Sequence, residues 1–192
     1  MEPHPVNRPI SVQQPGLMPA ARGWGVKVMP STEQYWFALK VFYNRAPQVQ
    51  EDFRQAGHDS YLTSLISSLL FVHCTEDELR QYKKTHDTAM LYYTDPASDD
   101  RSRPGRIPDR EMDNFRVATS LAETDPDAIY LGSDTEKLCT GDRVRVTEGL
   151  YKGMEGYVKR IRHARKVLVA IKGVAVVALS NIHPQYLEKI DN

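Results

Sequence analysis

The chain has 192 residues, of which 41% are hydrophobic and 26% charged, and its formal net charge at neutral pH is zero. This length suits one large domain or two small ones, and the composition is typical of a globular protein. No apolar run approaches the ~20 residues of a membrane span, and the first thirty residues lack the pattern of a secretory signal. We therefore expect a cytoplasmic protein without membrane contact, in which Cys74 and Cys139 are reduced thiols.

Charge is distributed unevenly along the sequence. Residues 137–192 carry 11 Lys and Arg against 5 Asp and Glu, a net of +6, whereas residues 31–136 carry 11 against 19, a net of −8. Such asymmetry predicts two modules with different partners. The basic module could meet RNA or an acidic protein surface, and the acidic module is a poor candidate for non-specific DNA binding.

The N-terminal part begins with a proline-rich stretch, residues 1–30, whose lack of apolar periodicity predicts a flexible arm. The aromatic and β-branched run from Tyr35 to Tyr43 then predicts a buried strand. A helix follows, with Pro47 in its first turn, an apolar face at spacings of three and four, and Gly57 as its stop.

A short strand at residues 61–62 precedes the apolar run Leu65–His73, which predicts a longer strand. Thr75 and Glu78 have the spacing of a capping box and predict the start of a second helix.

The next predicted elements are a strand at Ala89–Tyr93, a polar loop at 95–106 and a third helix opened by Pro108 and Asp109. The expected inward face of this helix comprises Met112, Phe115, Val117 and Ala118. Residues 124–136 form an acidic connector that predicts a domain boundary. Strands with interspersed helices but no regular βαβ repeat predict an α+β fold with a mostly antiparallel sheet.

The segment Gly141–Ile171 predicts a small, strongly bent β-barrel, because it combines short alternating strands with tight turns. The strands are expected at residues 143–146, 157–161 and 167–171. We expect positive φ at Gly153, and a bulge or a close backbone approach at Gly156.

This segment carries a recognisable motif. It reads Gly-Asp-x-Val-x-Val, a loop, Gly-x-x-Gly and an apolar-basic strand, and it resembles the KOW motif of NusG-type transcription elongation factors and of some ribosomal proteins. The chain departs from the motif at Leu150, where many members carry proline.

The N-terminal half resembles the same family. Trp36-Phe-Ala-Leu followed by Asn44-Arg45 is similar to the first strand and turn of the NusG N-terminal (NGN) domain. Leu69-Leu-Phe-Val and Ile107-Pro-Asp-Arg-Glu-Met-Asp-Asn-Phe are similar to its central strand and last helix. With the motif above, the resemblance covers about Tyr35 to Ile190 and looks most like the UpxY group, processive antiterminators associated with surface-polysaccharide operons.

The resemblance implies a specific organisation. It comprises a flexible arm (1–30), an NGN domain with an antiparallel sheet and flanking helices (31–123), a linker (124–136) and a small SH3-like KOW β-barrel (137–192). One departure is the short 62–65 connection, where relatives carry a long basic loop towards DNA. Its shortness puts contacts with upstream DNA or the non-template strand in doubt.

In the family, the NGN domain binds the clamp helices of the largest RNA polymerase subunit through an apolar pocket. The positions that match this function are Phe42, Tyr43, Asn44, Arg45, Ile66, Leu69 and Phe71, with Arg80 and Gln81 for a second polymerase element, the gate loop. Phe42 and Phe71 could equally be core residues, and Arg80 and Gln81 could belong to a solvated helix face.

In the KOW module, basic and aromatic residues could contact nascent RNA, a ribosomal protein or a termination factor. They are Arg143, Arg145, Tyr151, Lys152, Tyr157, Lys159, Arg160 and Arg162. The alternative to the antiterminator is therefore an RNA-binding or ribosome-associated KOW protein whose N-terminal half is a scaffold.

Enzymatic activity is not expected. His73 and Cys74 are adjacent on a strand and point to opposite faces, the other histidines lack ligand spacing for zinc, and no glycine-rich phosphate loop is present. The sequence predicts no catalytic residue, no metal site and no cofactor.

Overall fold

A computed structural model of the chain describes residues 32–86, 90–95, 98–100, 102–161, 163–180 and 182–190. Within these ranges the fold is α+β, with two antiparallel sheets and helices packed against them, which confirms the predicted class. The predicted arm at residues 1–30 lies outside the described residues.

The N-terminal sheet contains four strands: β1 (Tyr35–Val41), β2 (Asp59–Leu62), β3 (Leu69–Cys74) and β4 (Met90–Tyr92), in the spatial order β2-β3-β1-β4. The associated helices are α1 (Ala46–Gln55), α2 (Glu76–Thr85) and α3 (Asp109–Ala122). The buried residues of α1 and α2 form one core with one face of the sheet, and those of α3 form a second core with the other face.

The C-terminal sheet has the spatial order β10-β6-β7-β8-β9-β5. Its strands are β5 (Ile129–Tyr130), β6 (Arg143–Val146), β7 (Glu155–Ile161), β8 (Ala164–Ile171), β9 (Ala175–Leu179) and β10 (Leu187–Lys189), with a short helix α4 (Thr135–Leu138) between β5 and β6. The three predicted strands are confirmed as β6, β7 and β8. The segment predicted as a connector contributes β5, which pairs with β9 and so extends the C-terminal sheet.

The two sheets share a hydrophobic core around α3. Phe115 of this helix is fully buried and packs against Phe71 of β3, with ring centroids 5.5 Å apart. The same cluster of buried residues includes Val169 of β8 and Val177 of β9. Since full burial of a large apolar side chain stabilises by about 1.5–3 kcal/mol, this helix links the two halves energetically.

The capping box predicted at the start of α2 is confirmed. The Glu78 N–H donates to Thr75 Oγ1 at 3.3 Å, and the Thr75 N–H donates to Glu78 Oε2 at 2.8 Å. These contacts satisfy two of the donors that a helix N-terminus leaves unpaired. They fix where the chain turns from β3 into the helix.

Three details of the sequence prediction are wrong. The strand expected from Leu65 begins only at Leu69, because residues 64–68 form turns and the Leu69 N–H donates back to the Ile66 carbonyl oxygen at 2.9 Å. The first strand was expected to reach Tyr43 but ends at Val41, because Tyr43 and Asn44 have positive φ and form a turn. Val117 was expected to point inward but is 48% exposed, since two residues along a helix rotate a side chain by about 200° away from Phe115.

The two predicted glycine positions are confirmed, and they differ in kind. Gly153 has φ +86°, and no atom lies within 4 Å of the place that a Cβ would take. A Cβ on Gly156, in contrast, would lie 2.4 Å from the Leu168 carbonyl oxygen. The first position requires a left-handed backbone, and the second requires the absence of a side chain.

We therefore expect Gly156→Ala to destabilise the protein by about 3 kcal/mol, because backbone of β8 must move to admit the methyl group. Gly153→Ala is the matched control and should cost about 1 kcal/mol of left-handed strain. Urea unfolding of both variants measures the difference. Equal losses would contradict the close approach at Gly156.

Candidate functional site

The turn after β1 has an unusual backbone. Tyr43 and Asn44 both have positive φ, +58° and +55°, and the Arg45 N–H closes the turn on the Phe42 carbonyl oxygen at 3.2 Å. Asparagine tolerates this conformation, but for a bulky aromatic residue it is strained. The side chain of Tyr43 is nevertheless 81% exposed, so packing within the chain does not require tyrosine here. Strain and exposure together mark the turn as a candidate contact surface.

An apolar surface continues from this turn. Phe42 is half-buried, with Lys40 Nζ 5.6 Å from its ring centroid. Lys40 pairs across the strands with Leu91 of β4, which is 49% exposed. We call Lys40, Phe42, Tyr43, Arg45 and Leu91 the Tyr43 patch. Apolar side chains flanked by two cations suit contact with an amphipathic, acidic partner surface.

The other residues matched to polymerase binding lie in different environments. Leu69 and Phe71 are 2% and 0% exposed, and both belong to the core shared with α3. Ile66 is half-buried against the same core. In this arrangement Leu69 and Phe71 have no surface to offer a partner, whereas Tyr43, Asn44 and Arg45 are exposed.

Arg80 and Gln81 of α2 also differ from each other. Arg80 donates to Glu76 Oε1 at 2.7 Å, and Arg106 pairs with the same carboxylate. Burial opposes ionisation of Glu76, but the hydrogen bonds from Arg80 and Arg106 outweigh it and lower the pKa of this carboxyl. Arg80 is thus held within the fold, and Gln81 is exposed.

Among the candidate residues of the C-terminal sheet, several are engaged in internal contacts. Tyr151 is buried, and its hydroxyl donates to Asp125 Oδ2 at 3.3 Å; burial, together with this aspartate, raises the pKa of Tyr151 to about 12. Lys159 Nζ donates to the carbonyl oxygens of Lys137 and Leu138 at 2.6 and 3.3 Å, which caps α4. Neither residue is available to a ligand.

The remaining candidates are accessible to different degrees. Lys152 and Arg160 are exposed, and Tyr157 is half-buried on β7. Arg160 Nε donates to the His163 carbonyl oxygen at 3.4 Å. Arg162 lies outside the described residues.

Arg143 and Arg145 belong to a cluster centred on Glu155. Arg145 donates to Glu155 Oε1 through Nε at 3.1 Å and Nη2 at 2.8 Å, Arg143 donates to Oε2 at 3.1 Å, and Arg110 of α3 also donates to Oε1. Asn114 binds the backbone of Glu155 in both directions, at 2.7 and 3.0 Å. We call these five residues the Glu155 cluster, and it joins α3 to the C-terminal sheet.

The cluster controls the ionisation of its carboxylate. Burial opposes the charge on Glu155, but hydrogen bonds from Arg145 and the positive charge of Arg110 outweigh it and hold the pKa of this carboxyl below its ordinary value. Three guanidinium groups surround one carboxylate, so the cluster keeps a net positive charge.

Arg110, Asn114 and Glu155 were not among the candidate residues predicted from the sequence. Arg110 and Asn114 are four residues apart and therefore share one face of α3, and Glu155 faces Arg145 across β6 and β7. The helical spacing was readable, but the contact between helix and sheet depends on how the two halves pack.

Comparison of the chain with protein-family models and with curated proteins gives no match. Among the described residues, no group of three or more His, Cys, Asp or Glu side chains could hold a metal ion, and Cys74 and Cys139 are free thiols. The longest described helix has 14 residues, and none of those described is suited to crossing a bilayer.

The Glu155 cluster predicts a pH-dependent contribution to stability. Glu155→Gln should lower the free energy of unfolding by about 2 kcal/mol at neutral pH, because it leaves three cations close together without their carboxylate. Since the folded pKa is below the unfolded value, this stabilisation is complete above about pH 4.3 and is lost as the pH falls towards the folded pKa.

Urea unfolding of the wild type and of Glu155→Gln between pH 3 and pH 7 tests this expectation. The exposed Glu148→Gln is the matched control and should change stability little at any pH. A difference between wild type and Glu155→Gln that stays constant down to pH 3 would contradict the role of the ionised carboxylate.

Proposed function

We propose that this protein is a NusG-like regulator of transcription elongation, with an NGN domain and an SH3-like KOW barrel, that binds RNA polymerase. It acts as a processive antiterminator of a surface-polysaccharide operon, in the cytoplasm and without catalytic chemistry. The proposal rests on the motifs of both halves, in their order, and is supported by the two antiparallel sheets that follow each other along the chain.

The observation that carries the polymerase contact is the strained, exposed turn at Tyr43. A tyrosine with positive φ and 81% exposure costs conformational energy and contributes little to packing. Arg45 beside it can pair with carboxylates in a fixed geometry, and tyrosine and arginine are enriched at the energetic centres of interfaces. An amphipathic surface with acidic groups is the partner that this chemistry fits, and in this proposal the polymerase clamp helices supply it.

The mechanism follows from binding by two modules. The N-terminal domain would bridge the polymerase clamp across the DNA channel and hold the complex in its processive state. The C-terminal module would bind a ribosomal protein or a termination factor.

A second candidate function is an RNA-binding or ribosome-associated KOW protein. The net charge of +6 over residues 137–192 favours it, since a cationic module attracts phosphate. In this case the N-terminal half serves as a scaffold and polymerase is not a partner.

Pull-down of RNA polymerase by the purified protein separates these functions. Tyr43→Asn/Arg45→Ala should reduce the bound polymerase at least about tenfold, as loss of two central contacts does. Relief of left-handed strain should leave the free energy of unfolding unchanged or raise it by about 0.5–1 kcal/mol. Loss of binding without loss of stability is the signature of a contact residue.

Leu150→Asn is the matched control, because Leu150 is an exposed apolar residue of the C-terminal half. It should bind polymerase as the wild type does. Undiminished binding by the double variant would remove the site from this turn, and absence of binding by the wild type would overturn the polymerase function itself.

A further inference from the structure

A groove of about 1080 Å3 lies between α3 and the C-terminal sheet. Its lining includes the exposed Val117 and the half-buried Ala170 and Tyr157. Val117, whose exposure was unexpected for this helix, contributes to this lining. The groove thus offers a flat aromatic ring beside an apolar surface.

The lining of the groove is also rich in positive charge. It includes five cations, Arg110, Arg143, Arg145, Lys152 and Lys172, against three carboxylates, Glu111, Asp113 and Glu155. The excess of two positive charges attracts anions, and the low-dielectric walls of a cleft strengthen this attraction.

The exposure of the Glu155 cluster favours an anionic ligand further. The side chain of Glu155 is only 11% exposed, whereas those of Arg110, Arg143 and Arg145 are 75%, 35% and 44% exposed. At this cluster, a ligand in the groove therefore contacts the guanidinium groups and not the carboxylate of Glu155. Arg110 and Arg143 each use Nη2 for Glu155, out of the five N–H donors of a guanidinium.

Glu155 also positions these cations in advance. It holds three guanidinium groups together that would otherwise repel one another, so little ordering is left for the ligand to impose. Planar guanidinium groups match the geometry of phosphate oxygens. The cluster is a preformed surface for phosphate groups.

We propose that this groove binds a segment of single-stranded RNA, with phosphates on the cationic residues and a base on the ring of Tyr157 and the apolar lining. A nucleotide carries a charged group and a flat apolar face, and single-stranded segments expose both. An acidic peptide supplies the charge without the flat face. The RNA bridges the two halves of the chain. This inference rests on the second candidate function, RNA binding by the C-terminal half, and does not depend on polymerase binding.

Fluorescence anisotropy with full-length protein and a labelled, mixed-sequence 12-nucleotide RNA tests the proposal. Lys152→Ala/Lys172→Ala removes two groove cations without altering the Glu155 cluster. The pair should weaken binding about tenfold and reduce the salt slope by about 1.4, since each single-strand phosphate contact contributes about 0.7. Val117→Asp, at an exposed position, should weaken binding similarly.

Arg165→Ala/Lys189→Ala is the matched control, because it removes two exposed cations of the same sheet that do not line the groove. It should change affinity less than twofold. Equal losses for the two pairs, or no loss for the groove pair, would overturn the site. Competition by a glutamate-rich peptide as strong as by unlabelled RNA would assign the groove to acidic protein segments and overturn the RNA ligand. Polymerase pull-down with the same variants distinguishes these outcomes from failure of the elongation function.

Discussion

Phe115 packs against Phe71 with ring centroids 5.5 Å apart, and the helix that carries it is also buried against strands of the C-terminal sheet. Helix α3 therefore belongs to both halves of the molecule. Removing either sheet would expose part of a core that is otherwise shielded from water, at a cost that scales with the apolar area. The orientation of the two halves, and every surface formed between them, depends on this packing.

Polar contacts at the border of the shared core fix the position of α3 relative to the C-terminal sheet. Asn114 binds the backbone of Glu155, and Glu111 Oε1 accepts the N–H of Lys172 at 3.0 Å. Hydrophobic burial alone would tolerate sliding of the helix along the sheet, whereas these hydrogen bonds require specific atoms to meet. Burial raises the pKa of Glu111 despite the hydrogen bond from Lys172, so this carboxyl is costly to ionise where it lies. The helix is thus fixed in register as well as in position.

The two surfaces for which we propose ligands differ in how they arise. The Tyr43 patch comes from the N-terminal sheet and from the turn at Tyr43 and Asn44, where φ is positive. The groove exists only because α3 and the C-terminal sheet are brought together, and it combines side chains from both halves. Contact with a polymerase at the turn and with RNA in the groove would use different side chains, so both can be tested by separate substitutions.

Local structure could be predicted from the order of the residues alone. Alternation of apolar residues predicted β6, β7 and β8, and the Thr75–Glu78 spacing predicted the start of α2. The positive φ at Gly153 and the close backbone approach at Gly156 were predicted as well. Each of these signals depends only on neighbours within a few residues. Tyr43, Asn44 and Arg45 were also among the candidate polymerase contacts that the resemblance implied. Only the packing of the two halves shows that Leu69 and Phe71 are buried in the core shared with α3. It also shows that Tyr151 and Lys159 make internal contacts and that Arg110 donates to Glu155. These outcomes depend on contacts between residues distant in sequence, and such contacts leave no periodic signal in the chain.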